Sequence, residues 1–252
     1  VDRGLNVVVH HVPLLAHVRP LFDVPRIPAQ RMAQYLRLMG AHADGVALPP
    51  LNFYNPMSKP HVAAYIDALM ALDIDHLAGH WLQDPAVTHL PLPRTFQHGF
   101  AVVDDVAGGW TERSAVEMTI RSADAYGPAH GWLTTVLFVS DSVDLNVVHQ
   151  RLKATVARAA WPLPRHRQVT LAELLAHERT VCSFAGSSYT LDADDLAYTH
   201  AVLSDYRDAT AYHVHVAALF GDRIARANGF PPMGLSDWAG IALAGALDQP
   251  LW

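Results

Sequence analysis

The chain has 252 residues, 51% of them hydrophobic and 17% charged, and a formal net charge of −6 with neutral histidine. That composition belongs to a folded globular protein and excludes a disordered one, and the lack of any Lys/Arg stripe excludes a nucleic-acid footprint. A single cysteine, Cys182, excludes an internal disulfide and any zinc or iron–sulfur site built on cysteines.

Leu5 to His10 opens the chain as an apolar, β-branched strand. Prolines 13, 20, 25 and 28 then exclude a long helix and predict an extended loop. Met32, Tyr35, Leu36 and Met39 recur at helical spacing, so a helix is expected from Pro28 to His42. Ala43-Asp44-Gly45 breaks it, and Val46 to Leu48 reads as a short buried strand. Ser58 and Pro60 start a second helix over 59–72. Ile74 to Leu82 is either a third helix or a strand feeding a loop.

Phe100–Asp104, Ser114–Arg121 and Trp132–Ser140 read as three strands, and the turn at Asp104–Gly109 joins the first two as an antiparallel hairpin. From Asp144 the pattern is helical: 144–160, 171–180 behind the cap Thr170, 192–206, 209–227 and 236–247. The expectation is an α+β fold. Residues 1–141 carry a mixed strand/helix half with a small sheet including the hairpin, and residues 142–252 form a mostly helical half that shares its core.

The chemistry is expected from histidine. There are 16, against 2 lysines (Lys59, Lys153) and 4 glutamates (Glu112, Glu117, Glu173, Glu178). Imidazole titrates near neutrality and is the commonest protein ligand for transition metals and haem. If Leu5–His10 and Val46–Leu48 are neighbouring parallel strands, their carboxyl ends bring His10, His11, Asn52, Tyr54, Asn55 and Lys59 together, the usual place for a ligand. Lys59 opens a helix whose N-terminus favours an anion. His76-x3-His80 would place two imidazoles on one helix face as a metal pair, although the glutamate of an H-E-x-x-H site is absent. Glu173-x3-His177 is a weaker pair of the same spacing. His213 and His215 are candidates for a single axial haem ligand. Trp110, Glu112 and Arg113 follow the Gly108-Gly109 turn, with an aromatic wall, a second acid–base group and a carboxylate-binding guanidinium. No P-loop, dinucleotide fingerprint or nucleophile elbow is present.

The reading is a cytoplasmic enzyme acting on a small polar, anionic substrate. His10, His11 and Glu112 are its catalytic candidates. Tyr54, Asn55, Lys59, Trp110 and Arg113 are substrate-binding candidates, and His76 and His80 are candidate ligands of a transition metal. A haem would make it an oxidoreductase. No membrane span is expected, since no apolar run approaches about 18 residues. The competing class is a non-catalytic ligand-binding protein or homo-oligomer with structural histidines, for which the low charge content would mark a self-association surface.

Overall fold

Two apolar runs, Phe96–Val103 and Trp132–Phe138, form the centre of a parallel sheet in the computed structural model, which describes residues 8–42, 45–106, 111–122, 126–165, 167–186 and 189–246. The chain divides into two units, Val1–Arg113 with Ala125–Ala160, and Ser114–Asp124 with Trp161–Trp252.

In the first unit, β1 (Val9–His11) is followed by α1 (Leu14–Val18), a 3-10 turn (Arg19–Asp23) and α2 (Pro28–Leu38). A short ladder pairs β2 (Ala41–His42) with β3 (Gly45–Val46). A second 3-10 turn (Pro49–Phe53), α3 (Pro60–Ala71), α4 (Ile74–Trp81) and α5 (Pro85–Thr88) lead to β4 (Phe96–Val103). The chain continues through α6 (Arg113–Arg121), α7 (Tyr126–Ala129) and β5 (Trp132–Phe138) to α8 (Leu145–Ala160). The second unit carries α9 (Leu171–Ala185), α10 (Ala193–Ser204), α11 (Tyr212–Phe220), α12 (Asp222–Ala227) and α13 (Ala239–Ala246), together with all of α6 after Arg113.

The sheet corrects the expected architecture. Its order is β1–β4–β5 and every pairing is parallel, with 57% of the chain helical. The expected antiparallel hairpin is absent because residues 114–121 are helix, not strand. The buried residues of α6 are Ser114, Val116, Glu117 and Arg121, the three polar ones at spacings of three and four. Because most of that buried face is polar, Val116, Met118 and Ile120 carry the hydrophobic signal and mimic a strand's alternation. β4 and β5 are buried along both faces, which suits a parallel sheet covered on each side and not a half-solvated hairpin. The partner expected for β1 is also wrong. β1 pairs with β4, not with residues 46–48, and Gly45–Val46 forms only the two-residue ladder with Ala41–His42.

The proline-rich segment is not extended either. It folds into α1 and the 3-10 turn, and the buried Arg31 guanidinium holds it there by donating to the carbonyls of Val24 (2.8 Å), Phe22 (2.9 Å), Pro56 (3.2 Å) and Ser58 (3.3 Å). Leu14 of α1 lies on Gly99 of β4, where any Cβ would come within 2.5 Å of it, so that face of the sheet is covered at close range. The opposite face, carrying His98 and Phe100, receives side chains of α4 and α8.

Helix starts in both units follow local capping chemistry. Asp144 accepts from the Asn146 and Val147 amides before α8, Asp192 accepts from Asp195 before α10, and Thr170 with Glu173 forms a reciprocal capping box on α9. The first two amides of α9 donate to a turn 35–38 residues away, Leu171 to the Ala209 carbonyl (2.8 Å) and Ala172 to that of Arg207 (2.9 Å).

The helix expected over 209–227 is two helices, broken at Gly221, which has φ +82° and stands against the Ser236 carbonyl where a Cβ would lie 2.1 Å away. The next side chain, Asp222, accepts from the amides of Met233 (2.8 Å), Gly234 (2.9 Å) and Leu235 (3.1 Å) and fixes the loop ahead of α13. Burial opposes its charge, but these amides and Arg226 hold the carboxyl below its ordinary range.

Buried in the same unit, Arg121 of α6 lies between Glu117 and Glu178, with Nε 3.0 Å from Glu178. Burial disfavours its charge, yet the two carboxylates outweigh that and keep the guanidinium ionised. No helix among the described residues is long and apolar enough to cross a membrane.

Gly240 of α13 faces the Ala218 carbonyl, where a Cβ would sit 2.4 Å away, whereas Gly79 of α4 has nothing within 4 Å. Gly240→Ala is therefore expected to lower stability by about 1–3 kcal/mol through overpacking. Gly79→Ala should raise it by about 0.5–1 kcal/mol by removing a helix-interior glycine. Urea-unfolding midpoints of the two variants test the contrast.

Candidate functional site

Parallel pairing places His11 and His98 side by side as register partners in β1 and β4. Their Nδ1 atoms are 2.8 Å apart. His11 Nε2 lies 2.9 Å from Asp75 Oδ1 on α4, and His98 Nε2 lies 2.8 Å from Thr135 Oγ1 on β5. The Thr135 hydroxyl donates to Thr155 on α8 (3.1 Å), which donates to the Arg151 carbonyl (2.9 Å). Phe100 packs against both rings at 5.5 and 5.1 Å.

Because each threonine donates onward, His98 must donate from Nε2 and accept at Nδ1. Burial, and then the proximity of His11, push the His98 imidazole well below its ordinary value of 6.5, so it is neutral. Both nitrogens of His11 are occupied and the side chain is buried.

A second histidine–carboxylate pair stands at the carboxyl ends of β4 and β5. Asp104, the residue after β4, is buried, and its Oδ1 is 2.8 Å from Nε2 of His61 in the first turn of α3. The His61 side chain is 36% exposed, and its Nδ1 has no partner among the described residues. The first link therefore orients the ring while the second nitrogen faces outward.

Beside this pair, Asp105 accepts from the amide (2.9 Å) and hydroxyl (2.5 Å) of Ser140. Asp141 takes Arg113 (2.8 Å) on one oxygen and Arg151 (2.6 Å) on the other. Both guanidiniums lie over the Phe138 ring, at 4.4 and 5.0 Å. Two guanidiniums thus serve Asp105 and Asp141, which leaves Asp104 to the imidazole. Burial and then the Asp141 carboxylate push the nearby Tyr65 hydroxyl up to about 12, so it stays protonated.

The residues expected from sequence are dispersed. His10 is exposed on β1, on the side opposite His11, and Glu112 is exposed before α6. Tyr54 is buried, with its hydroxyl against the Val102 backbone, and burial pushes that hydroxyl far above its ordinary range. Asn55 makes a local turn by accepting from the Met57 amide (2.8 Å). Lys59 is the exposed N-cap of α3, two residues from His61. Arg113 reaches the strand-end cluster, while Trp110 lies outside the described residues.

His76 and His80 do meet, with Nε2 atoms 3.1 Å apart on the exposed face of α4. Among the described residues no group of three or more His, Cys, Asp or Glu side chains is placed to hold a metal. Glu173 is committed to the capping box and Arg167, and His215 Nε2 to the Ala209 carbonyl at 3.0 Å.

Sequence reasoning missed His61, Asp104, Asp105, Ser140, Asp141 and Arg151. The available signal was a polar, aspartate-bearing pair directly after each of two apolar runs, Asp104-Asp105 and Ser140-Asp141. Comparison of the chain with family models, with curated proteins and with solved structures gives no match.

Two outcomes follow for the buried row. Thr135→Val removes the acceptor for His98 and is expected to cost about 1–3 kcal/mol in chemical denaturation. Because His98 resists protonation in the folded state while the unfolded chain takes the proton, its contribution to stability falls as pH drops below 6.5. Between pH 7 and pH 5 wild type should therefore lose more unfolding free energy than His98→Gln, and equal slopes would refute the assignment.

Proposed function

We infer that this protein is an enzyme that moves a proton on a small polar, anionic molecule held at the carboxyl ends of β4 and β5, with His61 as the acid–base group. The observation that carries this reading is the pairing of a buried carboxylate, Asp104, with a half-exposed imidazole whose other nitrogen is open. An aspartate on one ring nitrogen selects the tautomer, aims the ring and stabilises the imidazolium that forms when the other nitrogen takes a proton. The location agrees, since ligands of parallel sheets gather outside the strands' carboxyl ends.

Lys59, at the start of the same helix, is the cation for an anionic substrate, because Arg113 and Arg151 already neutralise Asp105 and Asp141. Tyr65, one turn beyond His61 and protonated throughout the neutral range, is placed to donate a hydrogen bond. The metal and haem versions of the chemistry are not needed for this step.

A non-catalytic interaction role has one specific support. Met32 and Leu36, one turn apart on α2, are each 45% exposed.

The test is a turnover screen of small carboxylates and phosphate esters, with wild type and His61→Gln run in parallel. Any proton-transfer turnover found in wild type is expected to fall by about 10²–10⁴ in His61→Gln with unfolding midpoint retained. Asp104→Asn should show a comparable loss through the wrong tautomer. Turnover equal to wild type in His61→Gln would overturn the reading.

A further inference from the structure

We propose that His76 and His80 form a two-imidazole site for a divalent transition-metal ion on the exposed face of α4, taking Cu²⁺ most tightly and completing its shell with water. Residues four apart on a helix lie on one face, one turn above the other. Here the two rings stand edge to face, with centroids 4.6 Å apart at 81°, and both side chains are open to solvent.

The decisive distance is the 3.1 Å between the two Nε2 atoms. Nitrogens 3.1 Å apart, each about 2.0–2.1 Å from one ion, subtend roughly 100° at the metal, between a square-planar and a tetrahedral angle. The two nitrogens therefore already stand at chelating separation, and a modest turn of each exposed ring brings its lone pair onto the ion.

In the ion-free pair, one ring donates its Nε2 hydrogen to the other. On binding, that hydrogen leaves Nε2 and a solvent proton is taken up at Nδ1 of the same ring. Both Nε2 lone pairs then face the ion and neutral rings release no net proton. Each Nδ1 is without a partner among the described residues, so it is open to carry the hydrogen.

The surrounding sequence favours a cation. Residues 60–93 contain no Lys or Arg, and of their four aspartates Asp67 is held by Arg19 and Asp75 by His11, which leaves Asp73 and Asp84. With only two protein ligands the site is open, so divalent ions should follow the general order with Cu²⁺ above Ni²⁺ and Zn²⁺.

The experiment is calorimetric titration of Cu²⁺, Ni²⁺ and Zn²⁺ into chelator-treated full-length protein, with electron paramagnetic resonance of the Cu²⁺ form. One tight equivalent of Cu²⁺ with nitrogen hyperfine structure from two imidazoles is expected. His76→Ala or His80→Ala should each weaken it by about a hundredfold, at least the upper end of what loss of a ligand's supporting partner alone costs. Circular dichroism of both variants confirms that α4 is retained, and His76→Gln serves as a second variant if His76→Ala misfolds. Absence of tight Cu²⁺ binding, or binding as strong as wild type in either variant, would overturn the proposal. His61→Gln should leave the affinity unchanged, which separates this site from the acid–base pair.

Discussion

A fully buried imidazole in the middle of a parallel sheet is the constraint around which the first unit is built. His98 has no access to water, so it must be neutral and must find partners for both nitrogens inside the protein. Four other elements contribute to that requirement. β1 brings His11, α4 brings Asp75 to anchor His11, β5 brings Thr135, and α8 brings Thr155 to receive the threonine's hydrogen. Each link is an ordinary hydrogen bond of modest net value. Leaving any of them open costs the desolvation of a buried polar group, which is larger. The row therefore specifies one register of β1 on β4 and one rotation of α8 on β5. That fixes where β4 and β5 end, and hence where Asp104 and Asp141 emerge.

Two histidine–carboxylate pairs in this unit share a donor, an acceptor and nearly the same separation, 2.9 Å for His11–Asp75 and 2.8 Å for His61–Asp104. What differs is the fate of the second ring nitrogen. In His11 it is spent on His98, so the pair is closed into the interior. In His61 it faces outward from a ring held by a buried carboxylate. Acid–base chemistry needs a nitrogen with somewhere to send a proton, and on that criterion the two pairs part company. The neighbouring arginines, matched to Asp105 and Asp141 and laid over Phe138, hold the strand ends rigid around the open ring.

Much of the helical structure was legible because it rests on local chemistry. Pro28, Asp144, Thr170 and Asp192 mark helix starts through their own side chains, and those starts are where the helices begin. The spacing of His76 and His80 likewise carried its own geometry. The failures are non-local. Residues 114–121 present Glu117 and Arg121 to the interior, and their burial depends on Glu178, more than 50 residues away. The pairing of His11 with His98 spans 87 residues, and that of His61 with Asp104 spans 43. Hydrophobic periodicity carries no trace of such contacts. Of the described residues selected from sequence for the substrate site, Arg113 bonds directly into the strand-end cluster, and it does so because it follows β4 closely in the chain.

The joint between the start of α9 and the turn near Ala209 has a dynamic consequence. The first two amides of α9, ordinarily the ones that fray, are bonded to carbonyls beyond the end of α10. Residues 171–209 thus form a loop stitched shut at its base, with α9 and α10 as its two arms. Neither arm loosens from its outer end without releasing the other. The two bonds tie the opening of the arms together, so their amides are expected to exchange with solvent as one cooperative unit and not from the tips inward.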